Sequence, residues 1–404
     1  MFPGQGVQYV GMCKTLFSEY EIVKKTFDEA SNVLSIDIEK LIFESSMSEL
    51  ATTVNSHISI FIASIAAFRV YMQEIGTPPL FLAGHSLGEY SALACSGVLS
   101  FSDALSLVYH RSKIIDEAAA NGDGEMIIVN NVNKEVLSRI CRGINSGDSA
   151  WISCYNSTTE HAVSVKKESI NNIIEEVLSK QGANTPLQGS APMHSTMMSG
   201  AANKLNFELM KYHFHDPIWM VISTVNGKPY SEQKVQTYLS EQMIMPVRWD
   251  IIARAIIKYK IDATIEFGPK GILGEMLKTD IKSLKTYCFD QKESRAEAFV
   301  NLRDDERSDI IEQCQQLSAG VLNQNIESEA YKSQVVDEYA KLRAMKRGEV
   351  GLNNVMESLK KILQGKRVTD REQEYIIQGL RISSGLFYKI DNVFEELKKK
   401  NILI

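Results

Sequence analysis

The sequence lacks the cysteine pattern of a disulfide framework or of a zinc site. Its 404 residues include six cysteines, which are widely scattered and form no C-x-x-C pair. That usage is typical of reduced, mostly buried thiols in a cytosol, so we expect a cytoplasmic protein. The N-terminus has neither a basic region nor an apolar core, and we therefore expect no signal peptide.

The sequence also lacks an excess of basic residues and a long uninterrupted apolar run. The formal net charge is -6, which argues against nucleic acid as the main partner because a phosphate backbone favours a basic surface. The apolar stretch His57–Ala67 is shorter than the roughly 20 residues of a membrane span. Residues 81–101 are interrupted by His85, Glu89 and several glycines. We therefore expect neither nucleic acid nor a membrane as a partner.

The spacing of apolar residues predicts an α/β protein with a small unit inserted into a larger one. Helical and strand patterns alternate over residues 1–123, as in a parallel sheet covered by helices. Residues 124–190 follow the order β-α-β-β-α-β of a ferredoxin-like subdomain, and the larger pattern resumes over residues 191–290. Residues 291–404 are polar, rich in Lys and Glu and free of proline. Apolar residues at helical spacing over residues 335–345, 352–363 and 390–400 predict a C-terminal helical appendage.

The segment Gly84–Gly88 has the sequence GHSLG and matches the motif G-x-S-x-G. A predicted buried strand precedes it and a predicted helix follows it, which is the context of a sharp turn that exposes a serine oxygen at a helix N-terminus. The backbone N–H groups and the helix dipole favour a negative oxygen there. A glycine-rich turn with an incidental serine is the alternative, and the strand–turn–helix context favours Ser86 as a nucleophile.

A serine is a weak nucleophile without a base, and seven histidines are available. His57, His110 and His161 lie in amphipathic elements, where burial or exposure without chemistry is the default. His194 lies in a turn between the inserted unit and the next helix, which is a good position for a catalytic loop residue. The pattern alone makes His194 the best of several candidates.

These residues resemble the malonyl-CoA:acyl-carrier-protein transacylases, and most closely the free-standing acyltransferases of trans-acyltransferase polyketide synthases. The resemblance covers roughly residues 1 to 290 and implies an α/β-hydrolase-like large subdomain with the ferredoxin-like small subdomain inserted. The shared segments occur in the same order: FPGQG at residues 2–6, GHSLGEYSAL at 84–93, Arg111, Asn156-Ser157, His194-Ser195, PVRW at 246–249 and EFGP at 266–269.

The resemblance implies a role for each matching position. Ser86 is similar to the acylated nucleophile and His194 to its base. In the family that histidine is oriented by a main-chain carbonyl, which here belongs to Gln242, so the aspartate of an ordinary triad is not expected. The backbone N–H groups of Gln5 and Leu87 are expected to form the oxyanion hole.

Arg111 aligns with the arginine that binds the substrate carboxylate, which the guanidinium fork suits better than a lysine would. Without the resemblance, the polar run His110–Lys113 favours an ordinary helix-surface arginine. The resemblance also assigns Asn156, His57 and Met193 to the substrate pocket. His57 replaces a glutamine and Met193 replaces a phenylalanine or serine, so a substituted or polar malonyl unit is conceivable.

The implied reaction is a ping-pong transfer from a coenzyme A or carrier-protein thioester to an acyl carrier protein, with no metal or redox cofactor. A polyketide synthase module is a further expected partner. One alternative is a hydrolase of the same fold that releases acyl groups from stalled carrier proteins. Another is an inactive scaffold protein. For the tail, docking through lysines 398–400 is weighed against plain packing, which the composition favours.

Overall fold

The computed structural model describes residues 1–144, 149–187, 190–302, 314–315, 318, 332–345, 352–368 and 373. The chain divides into two compact units, one containing residues 1–70 and 81–295 and the other containing residues 71–80 and 296–396. The helix predicted at residues 390–400, and with it lysines 398–400, lies outside the described residues.

Seven helices precede the first regular strand, and helices and strands are mixed from residue 124 to residue 288. Their bounds are α1 (Lys14–Glu19), α2 (Glu21–Leu34), α3 (Ile38–Phe43), α4 (Met47–Leu50), α5 (Thr53–Glu74), α6 (Leu87–Cys95), α7 (Phe101–Asn121), β1 (Gly124–Asn130), α8 (Lys134–Gly143), β2 (Ala150–Tyr155), β3 (Glu160–Lys166), α9 (Ile170–Ser179), β4 (Ala183–Leu187), α10 (Ser199–Leu209), α11 (Glu232–Gln242), β5 (Val247–Arg248), α12 (Trp249–Lys258), β6 (Ala263–Glu266), α13 (Ile272–Asp280) and β7 (Lys285–Cys288).

Side-chain caps fix several of the helix starts. The Ser100 hydroxyl accepts from the Asp103 N–H at the start of α7, and Asn133 accepts from the Val136 N–H at the start of α8. These bonds satisfy backbone donors that have no partner within the helix. The sequence therefore marks the entry to both helices, one of which carries Arg111.

The inserted unit is a twisted sheet in the order β4-β1-β3-β2-β5. Strands β1 to β4 pair antiparallel, with β1 between β3 and β4, while β5 joins β2 in parallel. Helices α8 and α9 contribute to one apolar core with these strands, which includes Ile127, Leu137, Val163 and Val177. The ferredoxin-like order predicted for residues 124–190 agrees with this topology, and β5 adds a strand that the prediction did not contain.

The larger subdomain is held by short parallel extended segments. The Phe2 N–H donates to Ala83 O at 3.0 Å, and the His85 N–H donates to Phe2 O at 2.9 Å. On the other side, the Leu82 N–H donates to Met220 O at 2.8 Å. The buried strand predicted before the GHSLG segment is therefore present only as isolated bridges, which pair Leu82 with Val221 and Phe2 with Gly84. The carboxyl end of this segment leads directly into the turn that contains Ser86.

Helix α5 contains the apolar stretch His57–Ala67 and extends beyond it at both ends. Among the described residues it is long and apolar enough to cross a membrane by length and composition alone, but its most apolar window is 83% buried inside the protein. Such burial is typical of a core helix. All six cysteines are buried and unpaired, as predicted.

The described residues of the second unit beyond residue 331 are mostly helical. A π-helical turn (Lys332–Val336) leads into α14 (Asp337–Ala344), and α15 (Leu352–Gly365) follows. Both helices agree with the predictions for residues 335–345 and 352–363. The apolar side chains that the helical spacing had assigned to one face are buried here: Val335, Leu342, Val355, Leu359, Ile362 and Leu363.

Gly88 is expected to tolerate no side chain. A Cβ atom at this position would overlap the Phe2 carbonyl group, which is part of the backbone and cannot rotate away. Gly88→Ala should therefore lower the free energy of unfolding by about 1–3 kcal/mol and slow any reaction of Ser86. Denaturant titration of the purified variant measures the first effect.

Gly200→Ala is the matched control, because a Cβ atom at Gly200 in α10 meets nothing within 4 Å. Alanine at this helical site should leave stability equal or raise it by about 0.5–1 kcal/mol. Equal losses in the two variants would contradict the close approach at Gly88.

Candidate active site

Ser86 occupies a strained turn between an extended segment and α6. Its backbone has φ 52° and ψ −108°, in a region that residues other than glycine rarely adopt. Gly84 and Gly88 flank it, and a Cβ atom on either would collide with nearby backbone. The glycines of the motif therefore permit the turn that brings the Ser86 hydroxyl to the N-terminus of α6.

His194 lies within hydrogen-bond distance of Ser86 although 108 residues separate them. Its Nε2 atom is 2.8 Å from Ser86 Oγ, and its Nδ1 is 2.7 Å from the backbone carbonyl oxygen of Gln242. The His194 backbone also has a positive φ of 59°, and its N–H donates to Met243 O at 3.0 Å. Because the Gln242 carbonyl can only accept, Nδ1 carries the proton and Nε2 presents its lone pair to the serine.

Burial sets the protonation state of this imidazole. Desolvation, with a smaller contribution from the positive charge of Arg111, lowers the pKa of His194 to about 3, although the bond to Gln242 opposes the shift. The ring is therefore neutral near pH 7. A neutral ring with a free Nε2 lone pair is the form that removes a proton from a serine hydroxyl.

Arg111 is fully buried in α7 and has no ion-pair partner in the described residues. None of its three guanidinium nitrogens makes a hydrogen bond there, and the group lies over the Tyr90 ring at 4.9 Å from the centroid. Its positive charge is one cause, after the larger effect of burial, of the lowered pKa of both His194 and His57.

The helix-surface alternative for Arg111 is wrong, although its neighbours His110 and Lys113 are exposed. Arg111 shares the buried face of α7 with Ala104, Val108 and Ile115. Those positions follow helical spacing, and this periodicity was the sequence signal for burial.

The two expected oxyanion donors are the backbone N–H groups of Gln5 and Leu87. Neither the Gln5 nor the Leu87 backbone N–H donates to another group in the described part of the chain. His57 supports the Gln5 segment from α5, since its Nε2 is 3.1 Å from Gln5 Oε1 and its Nδ1 is 2.9 Å from Ser112 Oγ. His57 thus connects the Gln5 segment with α7.

Asn156, in the inserted unit, and Met193, in the loop that follows it, lie next to the segments that carry Ser86 and His194. The Asn156 Oδ1 accepts from His85 Nε2 at 3.0 Å, and its Nδ2 donates to Glu160 Oε1 at 2.9 Å. Met193 precedes His194 and packs against a small cluster that includes Met126 and Val247. Asn156 therefore links the inserted sheet to the motif that contains Ser86.

The sequence reasoning assigned no role to one group in this region. Glu89, in the first turn of α6, is fully buried and accepts four hydrogen bonds from Thr224, Tyr230 and Gln242. The sequence signal for this buried group is a single charged residue inside the otherwise apolar stretch of residues 81–101.

Comparison with known proteins gives consistent relatives. A family profile described as "Acyl transferase domain" matches residues 1–346. A malonyl CoA-acyl carrier protein transacylase from Bacillus subtilis is 38% identical over 315 residues, which cover 75% of this chain and 78% of that protein. The enzyme of the same name from Escherichia coli (strain K12) is 32% identical over 301 residues, covering 74% and 97%.

A solved structure resembles the chain to a similar extent. It is a complex described as a type II PKS acyl-carrier protein with its malonyl-transacylase, and the similar chain has a TM-score of 0.72 and 31% sequence identity. The similarity covers 74% of this chain and 98% of that one.

The low pKa of His194 predicts an unusual pH dependence. A group whose pKa is depressed in the folded protein stays deprotonated as pH falls through the ordinary histidine value of about 6.5. The rate constant kcat/KM for acylation should therefore remain flat from about pH 8 to about pH 5.5. A decline centred near pH 6.5 would contradict the buried, neutral base.

Stability must be measured in the same range. The pKa values of His57 and His85 are also lowered, chiefly by burial. Below about pH 6.5 the unfolded chain binds more protons than the folded one. The free energy of unfolding therefore decreases as the pH is lowered in this range. Circular dichroism at each pH separates this loss from a change in rate.

Proposed function

This chain belongs to the acyl transferase domain family and to its malonyl-CoA:acyl-carrier-protein transacylases, and we propose that Ser86 carries the malonyl group between donor and acceptor. The chain is an acyltransferase that uses thioesters of coenzyme A and of an acyl carrier protein. In the proposal His194 is the base, the Gln5 and Leu87 N–H groups bind the oxyanion, and Arg111 binds the free carboxylate.

The first half-reaction forms an ester on Ser86. His194 Nε2 takes the hydroxyl proton while Oγ bonds to the thioester carbonyl carbon, and the carbonyl oxygen becomes an oxyanion. Two fixed backbone donors each stabilise such an oxygen by roughly 3 kcal/mol. The intermediate collapses with cleavage of the C–S bond, and the imidazolium returns its proton to the departing thiolate, leaving malonyl-Ser86 and free coenzyme A.

The second half-reaction is the reverse with a new thiol. The phosphopantetheine thiol of the carrier protein gives its proton to His194 and attacks the ester carbonyl. The C–O bond to Ser86 breaks, and the serine oxygen recovers the proton from the imidazolium. One imidazole thus serves as base and then as acid in each half, which requires a neutral resting state.

The observation that carries this proposal is the unpaired guanidinium of Arg111. Burying a cation without an anion costs several kcal/mol, so its retention in the interior, where its charge acts on His194, needs a ligand that repays the cost. The free carboxylate of a malonyl group has the required charge and fits the guanidinium fork with two parallel hydrogen bonds. An acetyl group offers nothing to it.

The same residue favours transfer over the alternative hydrolase. A hydrolase that clears plain acyl chains gains nothing from a buried cation, whereas a malonyl transferase uses it in both half-reactions. Service to a trans-acyltransferase polyketide synthase and a cytoplasmic location stay predictions of the sequence.

Intact-protein mass spectrometry tests the covalent step. Wild-type protein mixed with malonyl-coenzyme A should gain one malonyl mass, Ser86→Ala should gain none, and added holo carrier protein should remove the adduct and acquire it. Loss of the adduct to water at the same rate without carrier protein would support the hydrolase. Absence of any adduct across coenzyme A and carrier-protein donors would support the scaffold.

Arg111→Ala should separate malonyl from acetyl donors. Loss of a buried, charge-assisted interaction of about 3 kcal/mol predicts a roughly 100-fold slower acylation by malonyl-coenzyme A. Acylation by acetyl-coenzyme A should be unchanged or faster, because the unpaired charge is gone. Arg111→Lys should fall between, since an ammonium lacks the planar fork. Equal losses for the two donors would count against the carboxylate role.

A further inference from the structure

Gln242 joins the two catalytic residues through different parts of one residue. Its backbone oxygen accepts from His194 Nδ1, and its side-chain Nε2 donates to the backbone oxygen of Ser86 at 3.0 Å. The same Nε2 also donates to Glu89 Oε2. The position of Gln242 therefore determines both the orientation of the imidazole and its alignment with the serine.

Two acceptors fix which way the Gln242 amide points. Both hydrogens of Nε2 are used, one on Ser86 O and one on Glu89. The amide oxygen Oε1 is buried and has no hydrogen-bond partner among the described residues. An amide turned the other way would place Oε1 against two oxygens and lose both bonds, so Glu89 contributes directly to this orientation.

Glu89 is itself held from two sides. Its Oε1 accepts from the Thr224 N–H at 3.1 Å and from the Tyr230 hydroxyl at 2.8 Å. Its Oε2 accepts from the Thr224 hydroxyl at 3.1 Å and from Gln242 Nε2. Each carboxyl oxygen thus meets one N–H group that can donate but never accept. Burial raises the pKa of Glu89, and these four donors counteract part of that rise.

We propose that Glu89 is a positioning residue of the transfer reaction, which acts through the Gln242 side chain to hold Ser86 and His194 in register. The inference rests on the roles proposed above for those two residues. Glu89 contacts neither Ser86 Oγ nor His194 Nε2. It supplies the oxygen that accepts a hydrogen bond from the Gln242 amide. An ordinary triad has a carboxylate in contact with the imidazole, whereas here Gln242 lies between them, with its side chain on Glu89 and its backbone oxygen on His194.

Glu89→Gln is a sharp test because it changes one group and keeps the shape. The new side chain has one oxygen and one NH2 group where Glu89 has two oxygens. In one orientation the NH2 group faces the Thr224 N–H, and in the other it faces the Gln242 NH2 group, so a donor meets a donor in both. Relief on the Gln242 side requires its amide to turn, which releases Ser86 O. Because a shift of about 1 Å in a catalytic group costs up to 100-fold in rate, we expect kcat for malonyl transfer to fall roughly 10- to 100-fold.

KM for the malonyl thioester should stay unchanged, because Arg111 and its ring partner Tyr90 are not altered. Glu266→Gln is the matched control. Glu266 is also a buried carboxyl, and it accepts from the Gly274 N–H at the start of α13, without a contact to Gln242. It should lose stability with little change in kcat. Equal loss of kcat in both variants, in proportion to their stability, would assign Glu89 a structural role only and overturn the proposal.

A double-mutant cycle tests the route through Gln242. Gln242→Leu keeps the backbone oxygen on His194 but removes the bonds to Ser86 O and Glu89, so kcat should fall to a similar degree. The Glu89→Gln, Gln242→Leu double variant should be no slower than either single variant, because both break one linkage. Multiplying losses would show that Glu89 acts by another route. If Glu89→Gln does not fold, an unchanged kcat in Gln242→Leu alone overturns the proposal.

Proton NMR of histidine-labelled protein supplies a signature that a purely structural role would not move. The His194 Nδ1 proton should give a protected resonance in the wild type and in Glu266→Gln, and an exchange-broadened one in Glu89→Gln. An identical resonance in all three would overturn the proposal. Malonylation of the wild type is the reference: if Ser86 of the wild type never labels, the proposed function fails. If wild type and Glu89→Gln label equally fast, only the present inference fails.

Discussion

The bond between the Gln242 carbonyl and His194 Nδ1 is the interaction on which the site depends. It selects the tautomer that leaves Nε2 free, and it joins α11 to a loop that follows the inserted unit. The same residue reaches the Ser86 backbone through its side chain. Nucleophile and base, 108 residues apart, are thereby aligned by a single residue.

Glu89 and Arg111 are two buried charged side chains of this region, and they differ in how many hydrogen-bond partners they have. Glu89 has every acceptor position occupied, which suits a group whose task is to stay still. Arg111 has its donors empty within the described residues, which suits a group whose task is to receive an anion. A buried charge is costly in either case. This contrast in partners supports the proposed positioning role of Glu89 and the proposed binding role of Arg111.

The local parts of this picture could be predicted from sequence and the distant parts could not. The turn at Ser86 is encoded by five adjacent residues, and the ferredoxin-like order by the spacing of short apolar runs. His194 was the best of several candidates, because its contact with Ser86 depends on the whole fold. The polar neighbours of Arg111 in the sequence predict an exposed side chain, whereas the apolar residues on its face of α7 predict a buried one. Glu89 could not be interpreted at all, since its meaning lies in donors more than 130 residues away.

Strand β5 makes the inserted sheet depend on the chain that follows the active site. Val247 and Arg248 pair with Cys154 and Tyr155 of β2, only a few residues after Gln242. The pairing of β5 with β2 thus connects the sheet to the larger subdomain at a third point, in addition to the two chain connections. A chimera that exchanges residues 124–190 alone would pair a foreign β2 with the original β5 and would strain the Gln242 segment. A functional graft must carry both pieces.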